Sequence, residues 1–265
     1  MTRVASGIVL IAVIGGAAWW GSPALVTALA AAVAALGAFE FAALASALGA
    51  PCPRGPLAVA AVVITLALAW PGVQAAVPVV IAVALAFPLL AVGRGVPSPD
   101  ALARAAAPVF GALYLGLPLG ALMAVRWSWG REVMLLPIAA VIVSDTAQYY
   151  TGRTLGRRQL APALSPKKTI EGALGGIVIG TAAFTALTAW VWPQTPVALR
   201  LGIGMAIVAL GICGDLFESL LKRAAGVKDS SALIPGHGGV LDRIDALLFV
   251  APFYYVVLRY LVQSA

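Results

Sequence analysis

The sequence predicts an all-α, polytopic integral membrane protein of about nine transmembrane helices. Three observations lead there. The 265 residues are 62% hydrophobic and only 10% charged, with a mean hydropathy of +1.01, whereas soluble domains carry about a quarter charged residues. Long apolar runs, each near the roughly 20 residues that cross a bilayer core of about 30 Å, follow one another between short breaks. Basic residues divide unevenly between alternate breaks, as membrane insertion requires. No separate soluble domain fits between the runs.

The first run, Val4 to Trp20 behind Arg3, has the layout of a secretory signal. No clear A-x-A cleavage site precedes the spans that follow at once, so it reads as a retained span over 4–21. The second, 23–48, is Ala-rich and carries Glu40. A lone acid is costly in lipid and should face the bundle interior, either as a functional group or as a satisfied structural one. Further spans are expected at 56–71, 74–93, 107–125, 132–151, 170–192, 197–222 and 242–263, from apolar runs between turn residues and charges. Their many small residues favour close helix packing. Residues 1–106 read as N-terminal membrane spans, and 107–265 as a C-terminal catalytic membrane domain within one continuous membrane unit. Cys52 and Cys213 have no metal-type partner spacing and predict no disulfide framework.

With nine spans, one side of the membrane receives Arg3, Arg54, Arg94, Arg104, Arg153, Arg157, Arg158, Lys167, Lys168, Lys222, Arg223, Lys228 and Arg243. The other receives only Arg126, Arg131, Arg200 and Arg259. Thirteen against four sets the first side, with the N-terminus, as cytoplasmic and the C-terminus outside. The two most basic loops, between spans six and seven and between eight and nine, then share the cytoplasmic side and can build one site.

Topology explains the bases but not the acids. Asp145, Glu171, Asp215, Glu218, Asp229, Asp242 and Asp245 are seven of only ten. Carboxylates interleaved with Lys and Arg beside a membrane suggest a divalent cation with a polyanionic phosphate ligand. In "GDLFESLLKRAAGVKD", Gly214 to Asp229, the residues Asp215, Glu218, Ser219, Lys222 and Arg223 fall in one helical stripe that should point into the protein. A plainer account is that Glu218 and Lys222, four apart, pair and cap the helix end. In "SALIPGHGGVLDRIDA", Ser231 to Ala246, the residues Pro235, Gly236, Gly238 and Gly239 permit a tight turn with N–H groups open to phosphate, and Asp242 and Asp245 share a face of the entering helix. Asp215 and Asp242 are expected to meet as hard oxygen ligands for Mg²⁺. His237 is either a loop-ordering residue or a direct participant. In "SDTAQYYTGRTLGRRQLAPALSPKKTIEGALGG", Ser144 to Gly176, the residues Asp145, Arg153, Arg157, Lys167 and Lys168 combine with Ser165 and Thr169 as phosphate donors. The glycine spacing matches neither a Walker A nor a dinucleotide turn.

These residues resemble the phosphatidate cytidylyltransferase family, the CDP-diacylglycerol synthases. Its signature, S-x-hydrophobic-K-R, four residues, K-D, then H-G-G-hydrophobic-x-D-R-x-D, is met from Ser219 to Asp245, and "SPKKTIEG", Ser165 to Gly172, is similar to the family's. The likeness covers roughly residues 140–250 and departs from the family at "SDTAQYYTGR", around Gln148 and Tyr149. It implies transfer of a cytidylyl group from CTP to phosphatidate. Catalytic residues on this reading are Asp215, Asp242, Lys222 and Arg223. Asp145, Ser165, Lys167, Lys168, Thr169, Ser219, Lys228, His237, Gly238, Gly239 and Arg243 bind substrates. Asp215 and Asp242 carry over the family's acidic metal pair for Mg²⁺, with K⁺ nearby. The implied partners are CTP, phosphatidate, the lipid bilayer and a second copy in a homodimer, with no nucleic acid. The Ala-rich composition and the absence of a targeting extension favour a bacterial inner membrane as the location. Rival readings are a CTP-dependent polyprenol or lipid kinase, which moves the γ-phosphoryl group, and a transporter, which would need no H-G-G loop.

Overall fold

The structure, a computed structural model, describes residues 15–70, 75–93, 95, 97–233 and 238–262. Most of the predicted first span lies outside the described residues, as do Arg3, Arg94, Pro235, Gly236 and His237; residues 15–20 are helical. The fold is helical, with a single small hairpin among the described residues. Its elements are α1 (Pro23–Ala47), α2 (Arg54–Ala69), α3 (Ala76–Gly93), α4 (Ala101–Leu155), β1 (Gln159–Ala161), β2 (Ser165–Thr169), α5 (Ile170–Val191), α6 (Val197–Ala224), α7 (Leu241–Val257) and a π turn (Leu258–Val262). Helices α1, α3, α4, α5 and α6 are long and apolar enough to cross a membrane, and α2 is a shorter apolar helix.

Local chemistry sets several boundaries. Ser22 precedes Pro23, and its hydroxyl accepts from Leu25 N–H at 3.2 Å, so α1 begins with a side-chain cap and a proline whose missing N–H costs nothing there. The helix stops at Gly49, where φ is +77°. Ala50 N–H then reaches Ala45 C=O and Gly49 N–H reaches Ser46 C=O, the doubled bonding of a glycine C-terminus. Helix α4 is interrupted at Gly130, with φ 91° and ψ 178°. The predicted spans 107–125 and 132–151 are its two limbs.

Two compact units organise the chain, one comprising Met1–Ser128 with Leu221–Ile244, the other Trp129–Leu220 with Asp245–Ala265. In the first, small residues let helices approach closely. A Cβ at Gly116 would lie 2.7 Å from Ile64, and one at Gly120 would lie 2.9 Å from Leu68 and the Thr65 carbonyl. In the second, Tyr254 is wholly buried, donates to Val133 C=O at 3.1 Å, and meets Phe184 edge-on with centroids 6.2 Å apart. The outside of the protein is apolar: Val77, Leu85, Leu89, Val178 and Trp190 are all exposed. A water-facing surface would not be built so. Both described cysteines are free thiols; Cys52 is buried between α1 and α2, which pushes its thiol up to about 11.

Candidate active site

In the second unit, the basic stretch expected as an irregular loop folds into an antiparallel hairpin, with Gln159 opposite Thr169 and Ala161 opposite Ser165. Its base is locked by Glu171, which accepts from the N–H groups of Arg157 and Arg158 at 3.0 and 3.2 Å. Thr169 caps α5, accepting from Gly172 N–H at 3.1 Å. The hairpin thereby fixes Lys168, whose ammonium pairs with Asp215 of α6. Asp145, on the second limb of α4, lies near enough to feel the charges of both Asp215 and Lys168. Gln148 donates to the Asp145 carboxylate at 3.0 Å and to the Ser144 hydroxyl at 3.2 Å. Gly176 of α5 makes room for it, since a Cβ there would overlap the Gln148 side chain. Gln148, where the sequence departs from the family pattern, is thus a neighbour of the site, and Ser144 is a residue that sequence reasoning passed over.

The first unit holds the other predicted acid. Helix α6 ends in a second glycine C-terminus, with Gly226 at φ +73° and Val227 N–H bonded to Lys222 C=O. The Lys222 ammonium pairs with Asp242 Oδ1 at 2.5 Å, with side chains only 12% and 7% exposed. Asp242 Oδ2 accepts from Ser230 N–H at 3.0 Å, Ser230 Oγ at 2.8 Å and Gly239 N–H at 2.7 Å. Gly238 has φ +79°, and a Cβ there would stand 2.6 Å from the same oxygen. Only glycine meets both demands. Glu40 of α1, 6% exposed, accepts from the hydroxyls of Ser230 and Ser231 and from the N–H groups of Val240 and Leu241. Of the two readings open for Glu40, the structure gives a fully satisfied interior acid, and its donors all come from the signature loop.

The predicted stripe on α6 is graded: Glu218 is wholly buried, Asp215, Ser219 and Lys222 are half-buried, and Arg223 is exposed, its guanidinium donating to Val227 C=O at 3.1 Å. Lys167, Lys228 and Arg243 are exposed and Ser165 is half-buried. Lys222 bonds to Asp242, twenty residues on. The structure therefore brings together Asp145, Lys168 and Asp215 in one unit, and Lys222, Gly238, Gly239 and Asp242 in the other.

A family model described as the cytidylyltransferase family matches residues 1–261. The chain belongs to the cytidylyltransferase family. The match takes in α1 and its Glu40 as well as the signature residues. Among curated proteins, the chain is 41% identical over 131 residues to the uncharacterized protein YnbB of Escherichia coli, covering 49% of this chain and 44% of that one. It is 38% identical over 149 residues to a phosphatidate cytidylyltransferase of Bacillus subtilis, with 56% and 55% covered, and 42% identical over 154 residues to one of Synechocystis, with 54% and 52% covered. The chain thus spans about half the length of the curated relatives it matches.

Donor chemistry around the site fits a hard divalent cation. Each of Asp215 and Asp242 presents an oxygen to a lysine ammonium, and Asp145 adds a carboxylate near Asp215. Among the described residues, no three His, Cys, Asp or Glu side chains gather into a metal-holding group. Mg²⁺ does not require one, since it takes one or two carboxylates and completes its shell with phosphates and water.

Proposed function

We propose that the protein is a phosphatidate cytidylyltransferase of a bacterial inner membrane. A phosphatidate phosphate oxygen attacks the α-phosphorus of CTP; the new P–O bond makes CDP-diacylglycerol as the bond to the β-phosphate oxygen breaks, releasing pyrophosphate. The observation that carries the reading is the pair of lysine–carboxylate contacts, Lys168 with Asp215 and, within the signature, Lys222 with Asp242, in a chain of the cytidylyltransferase family. Lys168 and Lys222 would bind phosphate, and Asp215 and Asp242 would hold a divalent cation, which would supply charge neutralisation.

The attacking oxygen is already anionic at neutral pH, so positioning and charge neutralisation carry the rate. Lys222 and Lys168, with exposed Lys167, Arg223, Lys228 and Arg243, bind and orient the triphosphate and the lipid phosphate. Asp215 and Asp242 are assigned as Mg²⁺ ligands, with K⁺ as a further cation. Bound Mg²⁺ supplies charge neutralisation at the phosphates.

Nine spans require that the first run, α2 and α7 cross along with the five long helices, and that α4 crosses twice: 55 residues of unbroken helix would measure about 80 Å, far more than one bilayer, and Gly130 divides them. The N-terminus is then cytoplasmic and the C-terminus outside. Reporter tags in the 156–168 and 225–240 loops should read cytoplasmic; a tag in either loop reading outside overturns the topology. For activity, purified protein is given phosphatidate, Mg²⁺ and CTP labelled separately at the α- and γ-phosphates. Entry of α-label into lipid with γ-label in pyrophosphate is the expected result. γ-Label in lipid would establish the kinase instead, and neither label in lipid would sink the substrate assignment.

A further inference from the structure

We infer that Glu40 is a positioning residue: from α1 it braces the signature loop that carries Gly238, Gly239 and Asp242. Its two carboxylate oxygens lie within hydrogen-bond distance of four donor groups, one of them the Ser230 hydroxyl shared with Asp242, all from residues 190 to 201 positions away in the chain. Ser231 Oγ lies at 2.6 Å and Val240 N–H at 2.9 Å from Oε1; Ser230 Oγ lies at 3.0 Å and Leu241 N–H at 2.7 Å from Oε2. A carboxylate is an acceptor on both oxygens, so it alone satisfies this set; a glutamine would turn an NH₂ against a donor.

The brace reaches the reactive carboxylate through one hydroxyl. Ser230 Oγ stands 3.0 Å from Glu40 and 2.8 Å from Asp242, and it has a single proton to give. Ser230 N–H and Gly239 N–H, which hold Asp242, belong to the same loop that Glu40 grips. Space is as tight as charge, because a Cβ at Gly239 would lie 2.5 and 2.6 Å from the two Glu40 oxygens. Glu40 therefore sets where the loop N–H groups point and where Asp242 is held.

The test uses full-length Glu40→Gln and, as a milder variant that removes one donor, Ser231→Ala. Hydrogen exchange reads the loop without reference to activity: the amides of Val240 and Leu241 should exchange about tenfold faster or more in Glu40→Gln, while α5 is unchanged. Its activity arm rests on the cytidylyltransferase reading. There KM for CTP should rise about tenfold and kcat fall about 10- to 100-fold, with Ser231→Ala between wild type and Glu40→Gln. Unchanged loop exchange overturns the brace. Faster exchange with unaltered kcat and KM, or a fall in rate that only tracks the folded fraction with KM unmoved, overturns the positioning role. If wild type makes no CDP-lipid but the loop still loosens, the cytidylyltransferase reading fails and the brace stands. Should Glu40→Gln not fold, Ser231→Ala decides by the same two readouts.

Discussion

Asp242 and Asp215 are each met by a lysine, yet they are built into the protein in different ways. Asp242 is 7% exposed and takes three loop donors besides its lysine. Asp215 is 31% exposed, and its lysine arrives on a hairpin whose neighbouring Lys167 is open to solvent. One carboxylate organises the backbone around it, and the other waits on a surface. The same residue type is thus tied into the backbone in one unit and held by a single side-chain pair in the other.

Replacing each acid separates those duties most strongly. Asp215→Asn and Asp242→Asn should both lower turnover by roughly 10²–10³-fold or more, as removal of a group stabilising the transition state does. Only Asp242→Asn should also lower the melting temperature, because it weakens the bonds that hold the loop. Near-normal turnover in either variant removes that residue from the site, and equal melting temperatures break the contrast.

Removing the lysines is the next test. Lys222→Met leaves a nearly buried carboxylate without its counter-ion and should cost about 3 kcal/mol in denaturant unfolding. Lys168→Met leaves a partly solvated one and should cost under about 1 kcal/mol. A larger loss at Lys168 would reverse the assignment of rigid and open sites.

A smaller effect concerns glycines at positive φ. Gly226→Ala meets open space and carries only the conformational penalty of about 1 kcal/mol. Gly238→Ala carries that penalty and also collides with Asp242, so it should lose CTP binding as well as stability. Comparable KM values for CTP in the two variants would show that the crowding at Gly238 is without consequence.

The sequence announced much of this. The helical class followed from hydropathy, and the predicted runs 23–48, 170–192 and 197–222 lie close to α1, α5 and α6. The signature named Lys222 and Asp242, and the segment Ser165 to Gly172 named Lys168. Hidden from it was the hairpin at 159–169, because strands of three and five residues crowded with bases show no usable alternation. That Lys222 meets Asp242 could not be read from spacing, since the two lie twenty residues apart. Glu40 could be marked as costly in lipid but not connected to anything.

By itself, then, the sequence determined a helical membrane protein and the chemical types that gather at its loops, because burial of apolar surface and charge asymmetry are read residue by residue. Tertiary structure alone decided which lysine meets which acid and that Glu40 holds the signature loop. Hydrogen bonds depend on distance and direction in space, and two groups 200 residues apart leave no mark of their meeting in a single chain's order.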